Sequence, residues 1–347
     1  MCAGVSGRTI GPENGAGHSG RTIELAIRAG AVHGALYYTF LMTSAAVSPA
    51  TAQHGSHPRK IWMDGHLVDP ADAKISVYDH GLLYGDGCFE GLRGYGGRIF
   101  KLDSHLRRLE ASAGHIRLKI PYSRAELADA TRATMEACGM ANCYIRMVVT
   151  RGVGTLGLHP FKCPRPGVII VVDTIQLYPH ELYKAGMKVI VAKRPRIPVT
   201  CLDPSIKSLN YLNNILAKIE AIDADVLEAI MLNTDGDVSE CTGDNIFAVK
   251  NGRIHTPPTS AGILHGITRQ FVIDELAPAL GLPVDERRMQ LDDLYSADEV
   301  FLTGTAAEII GVSAIGDQTI GIGRMGPTTA RLESEFRRRI SEGAPEN

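Results

Sequence analysis

The run Ser205-Ile206-Lys207-Ser208-Leu209-Asn210-Tyr211-Leu212-Asn213-Asn214 sets a lysine between a proline-rich extended segment and an apolar-periodic one. The periodicity predicts a helix from the lysine to about Asp223, with Leu209, Leu212 and Ile215 burying one face. Tyr211, four residues on, shares a face with Lys207 if the helix begins there. Further along, a hairpin turn at Asp235-Gly236 delivers Glu240 on a strand, in Val238-Ser239-Glu240-Cys241-Thr242-Gly243-Asp244-Asn245. Singly, these are a solvated lysine, a core tyrosine and a turn carboxylate. An acid in an apolar-leaning sheet nevertheless needs a partner.

Composition bounds what such a cluster does. The chain has 347 residues, enough for two domains, with 44% hydrophobic and 21% charged residues and a net charge of −2. No basic stripe interleaved with aromatics occurs, which argues against nucleic-acid binding. The seven cysteines form no C-x-x-C, which argues against a zinc ribbon or disulfide scaffold and suits a reducing, cytoplasmic setting. No H-x-x-x-H pair falls on a predicted helix, so no metal is expected. Residues 1–58 are rich in small residues and poor in acids. They are expected to be a disordered or mis-started leader, with a natural start at Met42 and an organellar import segment as the alternative. Their mildly apolar stretch is too interrupted to span a membrane.

From residue 59 the pattern is that of a folded protein. A hairpin turns at Asp64-Gly65, and Lys74 to Tyr78 alternate as a strand. Asp103 is placed to cap a helix carrying Leu106, Leu109, Ala113 and Ile116, and Ser123 with Glu126 forms a capping box before a second helix. Strands are predicted at 144–150, 168–172, 188–192 and 299–303, and a further hairpin at Asn251-Gly252. Thr268 is a candidate cap for a helix toward Leu280, and Pro327 suits the first turn of a last helix. Strands and helices mix without βαβ regularity, so the fold class reads as α+β. The expected division is 59–172, a loop over 173–185, a second domain over 186–341, and a tail over 342–347.

A lysine that can be neutral part of the time, a phenol beside it and a carboxylate from a nearby strand are what a pyridoxal phosphate enzyme uses. Phosphate binding needs donors and charge. Gly266-Ile267-Thr268 and Gly304-Thr305-Ala306 couple backbone N–H groups to a hydroxyl, and Arg108 offers the charge. Gly152-Val153-Gly154-Thr155-Leu156-Gly157 fits G-x-G-x-x-G, but the prolines after it forbid the helix that a dinucleotide site requires. That loop is better suited to shaping a substrate pocket.

From about Ile61 to Ile340 the chain resembles the class IV (fold type IV) pyridoxal phosphate aminotransferases, most closely the branched-chain amino acid aminotransferases. The resemblance rests on ordered motifs: Asp79-His80-Gly81 through Tyr84-Gly85-Asp86-Gly87-Cys88-Phe89-Glu90-Gly91, Tyr144-Ile145-Arg146, the Lys207 and Glu240 runs, Gly266-Ile267-Thr268-Arg269, and Gly304-Thr305-Ala306-Ala307-Glu308. It implies a small α/β domain beside a larger one with a β-barrel-like core, and transamination of leucine, isoleucine and valine with 2-oxoglutarate. By the same resemblance Lys207 is the catalytic residue that joins pyridoxal 5'-phosphate, Tyr211 meets its phenolic oxygen and Glu240 its ring nitrogen. Arg108, Gly243, Asn245, Ile267, Thr268 and Thr305 complete the cofactor site. Substrate is expected to meet Tyr84, Phe89, Gly91, Tyr144, Arg146, Leu156, Gly157, Tyr178, Thr305 and Ala306, and subunits to pair as a homodimer or higher homo-oligomer. D-amino acid aminotransferases share Gly85-Asp86-Gly87 but lack the combination of Phe89-Glu90-Gly91 with Tyr144 and Arg146. Aminodeoxychorismate lyases normally carry threonines at Glu90-Gly91. An (R)-amine aminotransferase is a third alternative, and a cofactor-free scaffold of the same fold a fourth. Cys241 departs from the family, which often has glycine there.

Overall fold

The computed structural model describes residues 59–175, 178–343 and 346, so the expectations for residues 1–58 lie outside the described residues. Two sheets organise the rest. The first is antiparallel, in the spatial order His66–Val68, Ile61–Met63, Gly167–Asp173, Cys143–Thr150, Gly87–Tyr95, Arg98–Ile99. Asp64 and Gly65 take positive φ (49° and 104°) at the tip of its opening hairpin, as the expected two-residue turn requires. Helices Leu102–His115 and Arg124–Ala137 cover one face. Their Leu106, Leu109, Ala113 and Leu127 pack with Ile145, Met147, Val149 and Ile170, all buried. Each such leucine contributes roughly 1.5–3 kcal/mol relative to exposure.

The second sheet is mixed, in the order Val284–Glu286, Arg253–Thr256, Asn245–Lys250, Glu299–Gly304, Glu308–Ile315, Met187–Val191, Glu228–Leu232, Val238–Cys241. The last of these returns beside the third: the Cys241 amide donates to the Asp244 carbonyl at 2.7 Å. The sheet thus curls into the expected barrel-like core, filled by Ile230, Val238, Ile246, Leu302, Ile310 and Val312. On its other side Phe247 and Phe301 stack at 4.7 Å beneath the C-terminal helix Pro327–Ser341.

Several local expectations give way. Lys74 to Tyr78 form no strand, because no neighbouring strand pairs with them, and Ile75, Val77 and Tyr78 stay exposed. Asp103 is not the cap of its helix. The helix opens at Leu102, and Asp103 sits in its first turn, paired with Arg107 and Arg124. The capping box at Ser123 and Glu126 forms as read. Gly266, not Thr268, precedes the helix at Ile267, which continues through a wider π turn at Val272–Leu276. The helix after the lysine begins only at Leu212. It buries Asn214, Ala217 and Ala221, whereas Leu212 and Ile215 face outward. Small residues allow that close packing, and the bulky aliphatic stripe is left on the surface.

Candidate active site

Lys207 owes its place to the first sheet, although its motif precedes a helix of the second. The Phe89 amide donates to the Lys207 carbonyl at 3.0 Å, and the Leu209 amide to the Gly87 carbonyl at 2.9 Å. The Lys207 amide donates to Ser112 Oγ at 3.1 Å. A two-bond ladder therefore fixes an extended backbone and aims the amine into a cavity of about 260 Å³. There Nζ donates to the Tyr211 hydroxyl at 3.1 Å and lies 4.7 Å from the centre of the Phe89 ring. The lysine and tyrosine meet without sharing a helix.

Opposite stands the second sheet. Glu240 is buried on Val238–Cys241. Its Oε2 accepts from the Leu264 amide at 3.0 Å and Asn245 Nδ2 at 3.3 Å, and its Oε1 from Arg196 Nε at 2.8 Å. Burial raises its carboxyl above the ordinary value, while Arg196, the Leu264 amide and Lys207 pull it down. Gly243, Asp244, Asn245, Gly266, Ile267, Thr268, Gly304, Thr305 and Ala306 complete this wall. Two glycines are obligatory in it. A Cβ on Gly266 would lie 1.9 Å from Asn245 Oδ1, and one on Gly304 2.0 Å from Asp244 Oδ1.

Arg108 enters from Leu102–His115 and is no surface residue, its side chain being 10% exposed. Nε and one terminal nitrogen grip Glu90 at 2.7 and 2.8 Å, and the other terminal nitrogen reaches the His265 carbonyl at 2.8 Å. His105 Nδ1 lies 2.7 Å from the same carboxylate. Burial favours protonated Glu90, but Arg108 and His105 outweigh it and hold the carboxyl well below its usual range. Strand alternation explains the layout: Phe89 and Gly91 line the cavity while Glu90 turns to the helix.

The remaining wall is aromatic and cationic. Arg146 donates to the Tyr144 hydroxyl at 2.9 Å and lies over the Phe89 ring at 4.5 Å. A Cβ on Gly91 would meet that hydroxyl at 2.2 Å, so glycine is required for this pocket shape.

Not every expected residue reaches the cavity. The Tyr84 hydroxyl accepts from the Gly157 amide at 2.9 Å, and Leu156 and Gly157 are exposed nearby. Tyr178 is buried against the second sheet, where its hydroxyl donates to Asp244 at 2.9 Å and lies 3.3 Å from Glu228. Burial and those two carboxylates drive its phenol far up. Conversely, sequence reasoning assigned no role to Ile175, Leu264, Arg269 and Thr303, which line the cavity, or to Arg196 behind it. The signal available for Arg196 was a charged residue between Pro195 and Pro198 in an extended stretch.

The amine–phenol pair, the buried carboxylate and the glycine-lined donor wall coincide with a match to the family model for amino-transferase class IV over residues 87–315. The chain belongs to that family, and it is an aminotransferase.

Within the family it belongs with the branched-chain amino acid aminotransferases. A putative branched-chain-amino-acid aminotransferase of Methanocaldococcus jannaschii is 47% identical, over 80% of this chain and 95% of that protein. The Escherichia coli K12 branched-chain-amino-acid aminotransferase is 36% identical, over 80% of this chain and 91% of its own length. The crystal structure of the branched-chain amino acid aminotransferase from Thermobaculum terrenum in its PLP form superposes with a TM-score of 0.75 at 30% identity, covering 83% of this chain and 95% of that one.

Proposed function

We propose that the protein transfers the amino group of leucine, isoleucine or valine to 2-oxoglutarate, with pyridoxal 5'-phosphate in the cavity. The observation that carries this reading is the meeting, across one cavity, of Lys207 paired to Tyr211, the buried Glu240, and a wall of Phe89, Tyr144 and Arg146. The residues fit the cofactor. Lys207 suits its aldehyde, Tyr211 its phenolic oxygen and Glu240 its ring nitrogen, and Arg108 with Ile267, Thr268 and Thr305 suits a phosphate. When bound, it supplies an electron-poor ring that takes up charge developing at the substrate Cα.

The chain's own groups do the rest. Lys207 Nζ moves the proton at Cα, and the Tyr211 hydroxyl orients that amine. Glu90 holds the Arg108 guanidinium still for the phosphate. Phe89 and Tyr144 exclude water around an aliphatic side chain, while Arg146, stacked on Phe89, receives the distal carboxylate of glutamate. The Thr305–Ala306 backbone borders the cavity and suits the α-carboxylate. An apolar wall with one arginine at its edge accepts both kinds of substrate.

We further infer that each sheet with its helices is one of two domains, and that subunits pair. Tyr84, Leu156 and Gly157 lie together outside the cavity, where they suit a neighbour's pocket rather than their own. Single-turnover half-reactions with L-leucine, D-alanine and a chiral amine test the substrate reading. Amino transfer from L-leucine is expected to be fastest, and preference for D-alanine or the amine would replace it. A monomeric mass with full activity would remove the pairing.

A further inference from the structure

The partner that the structure gives Glu240 has no part in the chemistry outlined above. Arg196 is 6% exposed and follows the strand Met187–Val191. Besides its 2.8 Å bond to Glu240, its guanidinium donates to Oδ1 of Asn214 at 3.1 Å and of Asn213 at 3.4 Å. These two asparagines close the lysine motif, and nothing in the catalytic reading uses them. Each is itself anchored. Asn213 Oδ1 accepts from the Ile197 amide at 3.0 Å and its Nδ2 donates to the Pro195 carbonyl at 3.0 Å. Asn214 Nδ2 donates to the Thr242 carbonyl at 2.9 Å. One guanidinium therefore ties the segment carrying Lys207 and Tyr211 to the strand carrying Glu240.

Arginine keeps its charge at any pH the protein meets and donates in a fixed plane. A carboxylate buried without a partner cation takes up a proton instead of staying charged. Of the charged groups acting on Glu240, Arg196 makes the direct contact, and Lys207 acts across the cavity in the same sense. Arg108 and the like-charged Asp244 lie farther off. The other polar contacts to its carboxylate, from the Leu264 amide and Asn245, are neutral donors.

We propose that Arg196, oriented by Asn213 and Asn214, is a positioning residue that keeps Glu240 ionised, so that a proton shared with the cofactor's ring nitrogen rests on the nitrogen. The inference deepens the proposed function and rests on Glu240 facing that nitrogen. Without Arg196 the same proton passes to Glu240 and leaves a neutral carboxylic acid against a neutral ring. Total charge in the pair is unchanged, but the ring's pull on substrate electrons falls. A brace with a purely structural role would affect stability and leave the proton where it was.

The test is the ring-nitrogen NMR signal of holoenzyme loaded with ring-15N-labelled pyridoxal phosphate. Wild type and R196K are expected to give the protonated-ring signal, and R196M a signal shifted toward the neutral ring. The turnover number is expected to fall roughly ten- to a hundredfold in R196M, the range for losing one charge-assisted bond. If R196M does not fold, R196Q carries the test, since its amide can donate to Glu240 without charge. A wild-type signal in R196M or R196Q, beside a shifted signal in E240Q, would overturn the role of Arg196 alone. An unshifted signal in E240Q would remove Glu240 from the ring nitrogen and the proposal with it.

Discussion

In each sheet a buried glutamate beside the cavity pairs with an arginine, Glu90 with Arg108 and Glu240 with Arg196, and the two pairs are built to different ends. Glu90 is closed on all sides: Arg108 grips both oxygens and His105 adds a third contact. Glu240 receives a single arginine bond on one oxygen and neutral donors on the other. The consequence is a difference in sign. Burial is the largest influence on both, yet Glu90 ends well below the usual carboxylate range and Glu240 above it. A closed pair serves to hold a cation still, here Arg108 at the cavity. An open pair keeps capacity for one more charge, and that capacity is what a ligand can use.

Breaking each pair from the acid side gives the largest expected effect. Glu90→Ala leaves Arg108 buried and uncompensated, and is expected to cost about 3–5 kcal/mol in urea unfolding. Glu240→Ala is expected to cost less, because Arg196 keeps its bonds to Asn213 and Asn214. The reverse ranking would break the comparison.

A third buried carboxylate sharpens it. Burial, with Glu228 as a like-charged neighbour, pushes Asp244 from 3.8 up to about 7. The folded protein therefore keeps a proton that the unfolded chain has released. This contribution to stability is full below pH about 4 and is lost as pH rises through about 7. Its change between pH 5 and 7 is at most about 3 kcal/mol, one proton over two pH units. Asp244→Asn is expected to flatten that slope, since the amide oxygen can still accept from Tyr178. An unaltered slope would place the titration elsewhere.

The smallest expected effect is a control remote from both pairs. Ser123→Ala removes the capping box at the start of Arg124–Ala137 and is expected to cost about 1 kcal/mol. The cost should add to that of Glu90→Ala in the double variant, and a coupling well above 0.5 kcal/mol would mean that the Glu90 change disturbs the whole layer of helices.

What the sequence displayed and what it hid follow from range. Turns at Asp64-Gly65, Asp235-Gly236 and Asn251-Gly252, and the box at Ser123, are local chemistry, and each was legible. So was the curled second sheet, through the family resemblance. Lys207 and Tyr211 were legible as a pair, but for the wrong geometric reason, because the ladder to Gly87 and Phe89 joins residues more than a hundred positions apart. The outward face of Leu212 and Ile215 was misread because periodicity reveals a stripe and not what covers it. Arg196 was invisible, since its partners lie on two other elements. Tyr178 was placed in the pocket by resemblance, whereas its hydroxyl sits with Glu228 and Asp244.

The two bonds that join Lys207 and Leu209 to the strand of Phe89 have a mechanical consequence. The Lys207 amine and the Phe89 ring are carried by two hydrogen-bonded stretches of main chain, so motion of the surrounding loops carries both together. On the proposed function, the distance from the amine to the aromatic wall is thereby held by main chain and not by loop packing.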